Sequence, residues 1–357
     1  MKKLLILVCV GILTGHTIYA QGCIMVRNIS GFGQYNLTDH SFSSSTWQLN
    51  IVSRYFKSFR EFKDDEDQKN PEAGINHVFS TDFSVSRFFD KGYSINFSLP
   101  INVNSRSTTT EHGGKGTSRY VTHSFGVGDV RFTAYKWILP PSVNQKGNVQ
   151  IGLGIKLPTG DYKYQDYFYR NDSTKILAPV NASIQLGDGG TGLIGELNGF
   201  YIINRTVNLY GNIYYLVNPR DQNGTSATYG RIPTSIQLKT GSEVNSVPDQ
   251  YSLRGGMNLN SKKFSYSAGL RWEGIPVNDL IGNSNGFRRS GYNLSFEPGL
   301  IYSVKKVSLY SYIPIIIGRK TKQTVPDKME SELTGKYVIG SGGFANYLVF
   351  LGVLFKL

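Results

Sequence analysis

From Tyr93 to Asn104 the chain alternates without a fault. Tyr93, Ile95, Phe97, Leu99, Ile101 and Val103 take one face, and Ser94, Asn96, Ser98, Pro100, Asn102 and Asn104 take the other. A repeat of two is the signature of a β-strand, whose successive side chains point to opposite sides. The pattern returns at 47–51, 75–89, 122–139, 147–157, 191–204, 206–218, 250–260, 263–274, 291–303, 306–318 and 344–357, giving about twelve strands with the first. No segment beyond residue 20 reaches the ~18 to 20 consecutive apolar residues that a membrane-crossing helix requires. So many apolar faces must be covered by a second sheet or by lipid. In lipid only a closed barrel leaves no strand edge unpaired.

The connections separate a β-sandwich from a barrel. Asp90-Lys91-Gly92, Pro140 to Lys146, Asn204-Arg205, Asn260 to Lys262 and Val304-Lys305-Lys306 are short, while 60–74, 105–121, 158–190, 219–249, 275–290 and 319–343 are long and polar. Strict alternation of short and long links is a barrel pattern, with short turns periplasmic and long loops extracellular. The final stretch, YLVFLGVLFKL, alternates through Tyr347, Val349, Leu351, Val353, Phe355 and Leu357 to the last residue. The chain is therefore expected to be all-β: an antiparallel transmembrane β-barrel of about twelve strands over 47–357. A soluble sandwich explains the alternation of any one strand. It does not explain the lengths and the links together.

Met1-Lys2-Lys3, the apolar run Leu4 to Leu13 and Ile18-Tyr19-Ala20 form a signal peptide pattern, with cleavage expected near Ala20. Residues 21–46 then precede the first strand, as a periplasmic extension or a plug in the lumen. Cys9 leaves with the signal, so Cys23 lacks a partner for an intramolecular disulfide and is either lipidated or a lone thiol. The formal charge of +13 is scattered, with no basic helix or block of the kind that nucleic-acid binders carry. Basic turns facing anionic headgroups, or a pore lining, account for it equally well.

Placing the apolar phase outward places the other phase inside. The inward charges are Arg54, Asp129, Arg131, Lys156, Glu196, Arg254, Arg271, Glu273 and Glu297. In lipid, a midplane arginine or lysine would cost roughly 2 to 4 kcal/mol, so such side chains belong in the lumen. They form either a self-pairing lattice that packs a narrow barrel or a selectivity lining. Val127-Gly128-Asp129-Val130 alternates poorly, so Asp129 has the least certain face. In Gln150 to Tyr162, QIGLGIKLPTGDY, the order of lysine and glycine does not fit a phosphate loop, and the inward glycines spare room or let the wall bend.

No enzyme pattern emerges. His40, His77, His112 and His123 have no metal-ligand spacing, no cofactor motif is present, and Ser124 beside His123 would point to the opposite side of a strand.

Two stretches, GVGDVRFTAYKWIL (126–139) and IGLGIKLPTGDY (151–162), resemble the paired strands of the outer-membrane transporter family named after the meta-pathway of phenol degradation. GIPVNDLIGNSNGFRRSGYNLSFEPGLIY (274–302) is similar to a later block in related exported barrels of the Bacteroidetes type, as is the Tyr-Ala-Gln junction. The resemblance implies a barrel of the Gram-negative outer membrane, embedded in its lipid by the barrel-assembly machinery. It also implies passive movement of small, hydrophobic or aromatic molecules. The competing expectation is a non-conducting structural or recognition barrel working through its long loops. An open path with few paired charges would favour transport, and a filled lumen would favour the second reading.

Overall fold

The computed structural model describes Val26, residues 35–36 and 41–42, and 46–357 except 115, 141–145 and 172. The signal peptide, Cys23 and most of 21–46 lie outside the described residues. Twelve barrel strands follow in chain order. They are β1 (Trp47–Lys63), β2 (Ile75–Phe88), β3 (Tyr93–Thr108), β4 (Tyr120–Val127 with Arg131–Trp137) and β5 (Gly147–Lys156). Then come β6 (Gly192–Ile202), β7 (Val207–Val217), β8 (Gln250–Ser261), β9 (Phe264–Ile275) and β10 (Gly291–Val304). The last are β11 (Val307–Tyr312 with Ile315–Thr321) and β12 (Gly342–Ala345 with Val349–Lys356).

Each strand pairs antiparallel with its neighbours in sequence, and β12 closes on β1 through Phe350↔Arg54 and Leu354↔Asn50. Closure leaves no open sheet edge, as an apolar outer surface in lipid demands. The outward phase is the apolar one: Phe97, Val103, Leu153, Leu197, Leu270 and Leu351 are all exposed. Trp47 and Trp272 also face outward. They sit near opposite ends of the wall, where amphipathic rings match the two membrane interfaces.

Three strands depart from the sequence expectation. β1 continues to Lys63, past the expected start of the link at residue 60, and its phases exchange polarity on the way: Val52 and Phe56 are buried inside while Lys57 is exposed outside. β3 continues to Thr108, which carries Arg106 inward. β4 is broken at Gly128–Val130, where the Gly128 N–H donates to Pro100 O at 2.8 Å and Gly126 has φ +153. The Thr159 hydroxyl holds the break, donating to Gly128 O at 2.8 Å and accepting from Val130 N at 3.0 Å.

The long links are structured. Loop 158–190 carries a hairpin, Gln165–Tyr169 with Lys175–Pro179. Loop 219–249 carries a strand pair and α1 (Ser235–Thr240), and loop 319–343 carries α2 (Val325–Thr334). Both helices begin in a capping box, Thr234 with Gln237 and Thr324 with Asp327, and end at a left-handed glycine, Gly241 and Gly335.

The loops form a packed cap. The Arg106 guanidinium donates to Glu111 at 2.9 Å and to Asn76 at 2.8 Å, while Asn181 donates to both Glu111 and the Tyr229 hydroxyl. Phe168, Ala178 and Tyr229 form a small apolar core beside this network.

Candidate functional site

The barrel interior is the candidate site, and cross-strand pairs build it. Register sets Tyr135 opposite Gly152, Tyr210 opposite Gly256, Tyr312 opposite Gly299 and Tyr310 opposite Gly352. The ring lies over Gly152, Gly299 and Gly352, and the Tyr210 hydroxyl reaches Gly256: a Cβ on Gly152 would come within 2.5 Å of Tyr135, and one on Gly352 within 2.1 Å of Tyr310. The spare room that inward glycines offer is thus taken by tyrosine rings, and Gly152 serves Tyr135. The Tyr135 hydroxyl then reaches Glu196 at 2.8 Å, and Tyr310 reaches Asn50 at 2.7 Å.

Of the nine charges, Arg54, Asp129, Arg131, Lys156, Glu196 and Arg254 line the interior cavities, Arg271, Glu273 and Glu297 are buried beside Arg254, and most are paired. Arg254 Nε donates to Glu297 Oε1 at 2.9 Å, and Glu297 Oε2 lies 3.5 Å from Arg271 Nη1. Arg271 Nη2 donates to Glu273 at 2.8 Å. The ladder Arg254–Glu297–Arg271–Glu273 ends on the backbone of Val26, whose N–H donates to Glu273 and whose carbonyl accepts from Arg271, each at 3.0 Å. Val26, from the 21–46 segment, packs with Ile194, Tyr214 and Leu216 and lies inside the lumen.

Nearer the loops, Lys156 bridges Asp129 at 3.4 Å and Asp188. Asp129 sits in the break of β4 rather than on a regular strand. Its Oδ1 accepts from Gly160 N at 3.0 Å and its Oδ2 from Asp188 N at 3.2 Å. The G-x-G-D and L-P-T-G-D stretches are therefore clasped together by Asp129 and Thr159. Glu196 accepts from Tyr135, Asn198 and Asn212. Arg54 lies over Phe56 at 5.4 Å and Arg131 over Tyr214 at 5.9 Å.

Among the described residues, two chambers lie inside the barrel. The lower one, toward the short turns, has a volume of about 190 Å3 and is lined by twelve Asn, Gln, Ser and Thr side chains together with Tyr135, Tyr210, Tyr214 and Tyr312. The upper one, under the loop cap, has about 250 Å3 and is lined by Arg54, Asp129, Lys156, Asn245, Arg288 and Arg289 among others. Arg131 lines both. Asp82 Oδ1 and Asn258 Oδ1 are buried with no hydrogen bond from the described residues.

Sequence reasoning misses several buried interior groups. Arg106 falls in the 105–121 link by sequence, although it continues the inward phase Asn102, Asn104. Arg288, paired with Asp279 at 2.8 Å, and Arg289 fall in a non-strand segment where periodicity is silent. The luminal tyrosines Tyr135, Tyr210, Tyr214 and Tyr312 share the interior with the charges, and the sequence reading of the inward phase takes in the charges alone. Among the described residues, no group of three or more His, Cys, Asp or Glu could hold a metal ion.

No protein-family model matches the chain, and no curated protein sequence matches it. Among solved structures, the chain is similar to an outer membrane channel from Pseudomonas putida F1, with a TM-score of 0.61 at 10% identity, covering 92% of this chain and 99% of that one. The translocator domain of the autotransporter NalP from Neisseria meningitidis matches with a TM-score of 0.47 at 10% identity, covering 88% of this chain and 90% of that one. At such identity the first likeness establishes the fold alone, a closed antiparallel β-barrel.

Proposed function

We propose that the protein is a narrow, passive channel of the Gram-negative outer membrane for small molecules, exported by cleavage near Ala20 and inserted by the barrel-assembly machinery. The observation that carries this reading is the pair of luminal chambers, about 190 and 250 Å3, that share Arg131 in their linings. Chambers of this size exclude folded chains and large oligomers. The tyrosine faces of the lower chamber suit an aromatic solute, as the family resemblance implies, while its amides and hydroxyls favour one that also carries polar groups.

A second reading has its own support. The Arg254–Glu297–Arg271–Glu273 ladder and the Lys156 bridges are mutually paired, as a filled structural lumen requires. On that reading the loop cap is the working surface.

Planar-bilayer conductance and liposome swelling with the mature chain separate the two, using small sugars, organic anions and neutral aromatics. A channel conducts, admits solutes by size, and changes its ion preference when Arg254 and Arg271 are replaced by Gln. A correctly folded barrel that neither conducts nor admits any solute refutes the channel and leaves the structural reading.

A further inference from the structure

The outer wall carries a feature that passage through the lumen does not use. Near the short turns it is indented by an apolar groove of about 610 Å3, lined by Ile138, Leu139, Val149, Tyr201 and Leu209 over a floor that includes Gly199 and Gly211. Gly199 and Gly211 are direct cross-strand partners on β6 and β7, and Gly211 is in turn paired with Gly255 on β8. These are outward glycines with no ring over them. A Cβ at Gly199, Gly211 or Gly255 would find no atom nearer than 3.7, 3.9 or 3.8 Å, so the groove is open to the membrane side.

Immediately below the groove the charge is one-sided. The short-turn end, residues 87–93, 136–147, 203–207, 261–264, 304–307 and 354–357, holds ten lysines and arginines and one acidic side chain, Asp90. Lys91, Lys262 and Lys305 occupy left-handed turn positions, with φ of 59, 33 and 51, that glycine or asparagine would take with less strain. Backbone geometry does not select lysine there, so charge is the remaining reason. Two of the exposed cations flank the groove: Lys146 directly precedes Gly147 in its wall, and Arg205 lies in the turn between β6 and β7. The Ile202 N–H donates to Lys146 O at 2.6 Å, which fixes these two turns side by side. Gly199 pairs with Val149, three residues above Lys146, a rise of roughly 10 Å. That is the offset between acyl chains and the headgroup layer.

We propose that this groove is a binding site for an anionic phospholipid of the periplasmic leaflet. One acyl chain lies across Gly199 and Gly211 between Leu139, Val149, Tyr201 and Leu209, and the phosphate meets Lys146 and Arg205. The site is independent of what the lumen carries.

The test is native mass spectrometry of the full mature chain released from vesicles of equal phosphatidylglycerol and phosphatidylcholine. The unaltered protein should retain phosphatidylglycerol over phosphatidylcholine by roughly tenfold or more, since each basic residue near an anionic surface adds to the attraction. The double variant Lys146→Glu with Arg205→Glu should lose the preference. The double variant Gly199→Leu with Gly211→Leu should lose retention of both lipids, because its side chains fill the groove. Heat-dependent gel mobility reports folding in each case, and the charge-reversal pair decides the matter if the leucine pair does not fold. Equal retention of the two lipids by the unaltered protein overturns the proposal, as does wild-type retention by folded protein of either variant. Neither result bears on conductance.

Discussion

Replacing Glu297 by Gln removes one negative charge from between two arginines. Glu297 is 1% exposed, Arg254 Nε lies 2.9 Å from its Oε1, and Arg271 Nη1 lies 3.5 Å from its Oε2. At an effective dielectric of about 20, each contact is worth roughly 5 kcal/mol of Coulomb energy before desolvation is subtracted. Removing one partner of a buried pair typically costs about 3–5 kcal/mol, because the other charge is left uncompensated. Gln keeps an acceptor for Arg254 but presents an amide donor or a neutral oxygen to Arg271. The expected loss is therefore near the lower bound, ~3 kcal/mol. Urea titration in lipid vesicles, read by tryptophan emission and by heat-dependent gel mobility, measures it. The companion double variant Arg254→Met with Glu297→Leu removes both charges and should destabilise less than the single change, since no unpaired charge remains on that rung. A single-variant loss below ~1 kcal/mol, or a double variant worse than the single, would refute the ladder as a stabilising unit.

Thr159→Ala removes both side-chain bonds that hold the break in β4, so a loss of about 1–2 kcal/mol and faster amide exchange at 126–130 are expected. Gly152→Ala puts a methyl within 2.5 Å of the Tyr135 ring and should cost about 1–3 kcal/mol while detaching Tyr135 from Glu196, visible in tyrosine absorbance and in the same urea titration. His112, in the loop cap, is held down to about 4 from 6.5 by burial, with Arg170 and Arg231 adding to the effect. The unfolded loop takes up a proton below pH 6.5 that the packed loop refuses until about pH 4, so packing stability is present above pH 6.5 and is lost as pH falls through 4. Amide exchange across 109–119 and 165–179 should accelerate in that window, and His112→Gln should flatten the dependence. An unchanged profile in the variant would assign the effect to other groups.

The wall was readable because lipid enforces one chemistry on every second residue, and β3 and β9 keep to it. Legibility failed where that pressure is relieved. β1 exchanges its phases above Ile51, with Phe56 inside and Lys57 outside, in a stretch whose top pairs with Glu66–Asp67 and the loops. β4 breaks where Asp129 is needed by Gly160, Asp188 and Lys156, contacts that span up to 59 residues and leave no local trace. The inward charges could be enumerated from phase alone, but their pairing depends on register between strands. Arg254 meets Glu297 only because β8, β9 and β10 lie side by side.

Glycine shows how one residue type reads differently on the two sides of the same wall. Inside a narrow barrel the inward side chains converge, and a glycine opposite a tyrosine lets the ring lie flat. Removing that vacancy at Gly152 or Gly352 would drive the ring into the chambers. Outside, the side chains diverge, and no neighbouring ring covers Gly199, Gly211 or Gly255. The first arrangement narrows the lumen, because each tyrosine turns backbone space into packed surface. The second leaves an indentation in a surface that lipid must fill at hydrocarbon density. Sequence alternation assigns both kinds of glycine to their faces, yet only the cross-strand partner, Tyr135 for Gly152 and Gly211 for Gly199, decides which kind each one is.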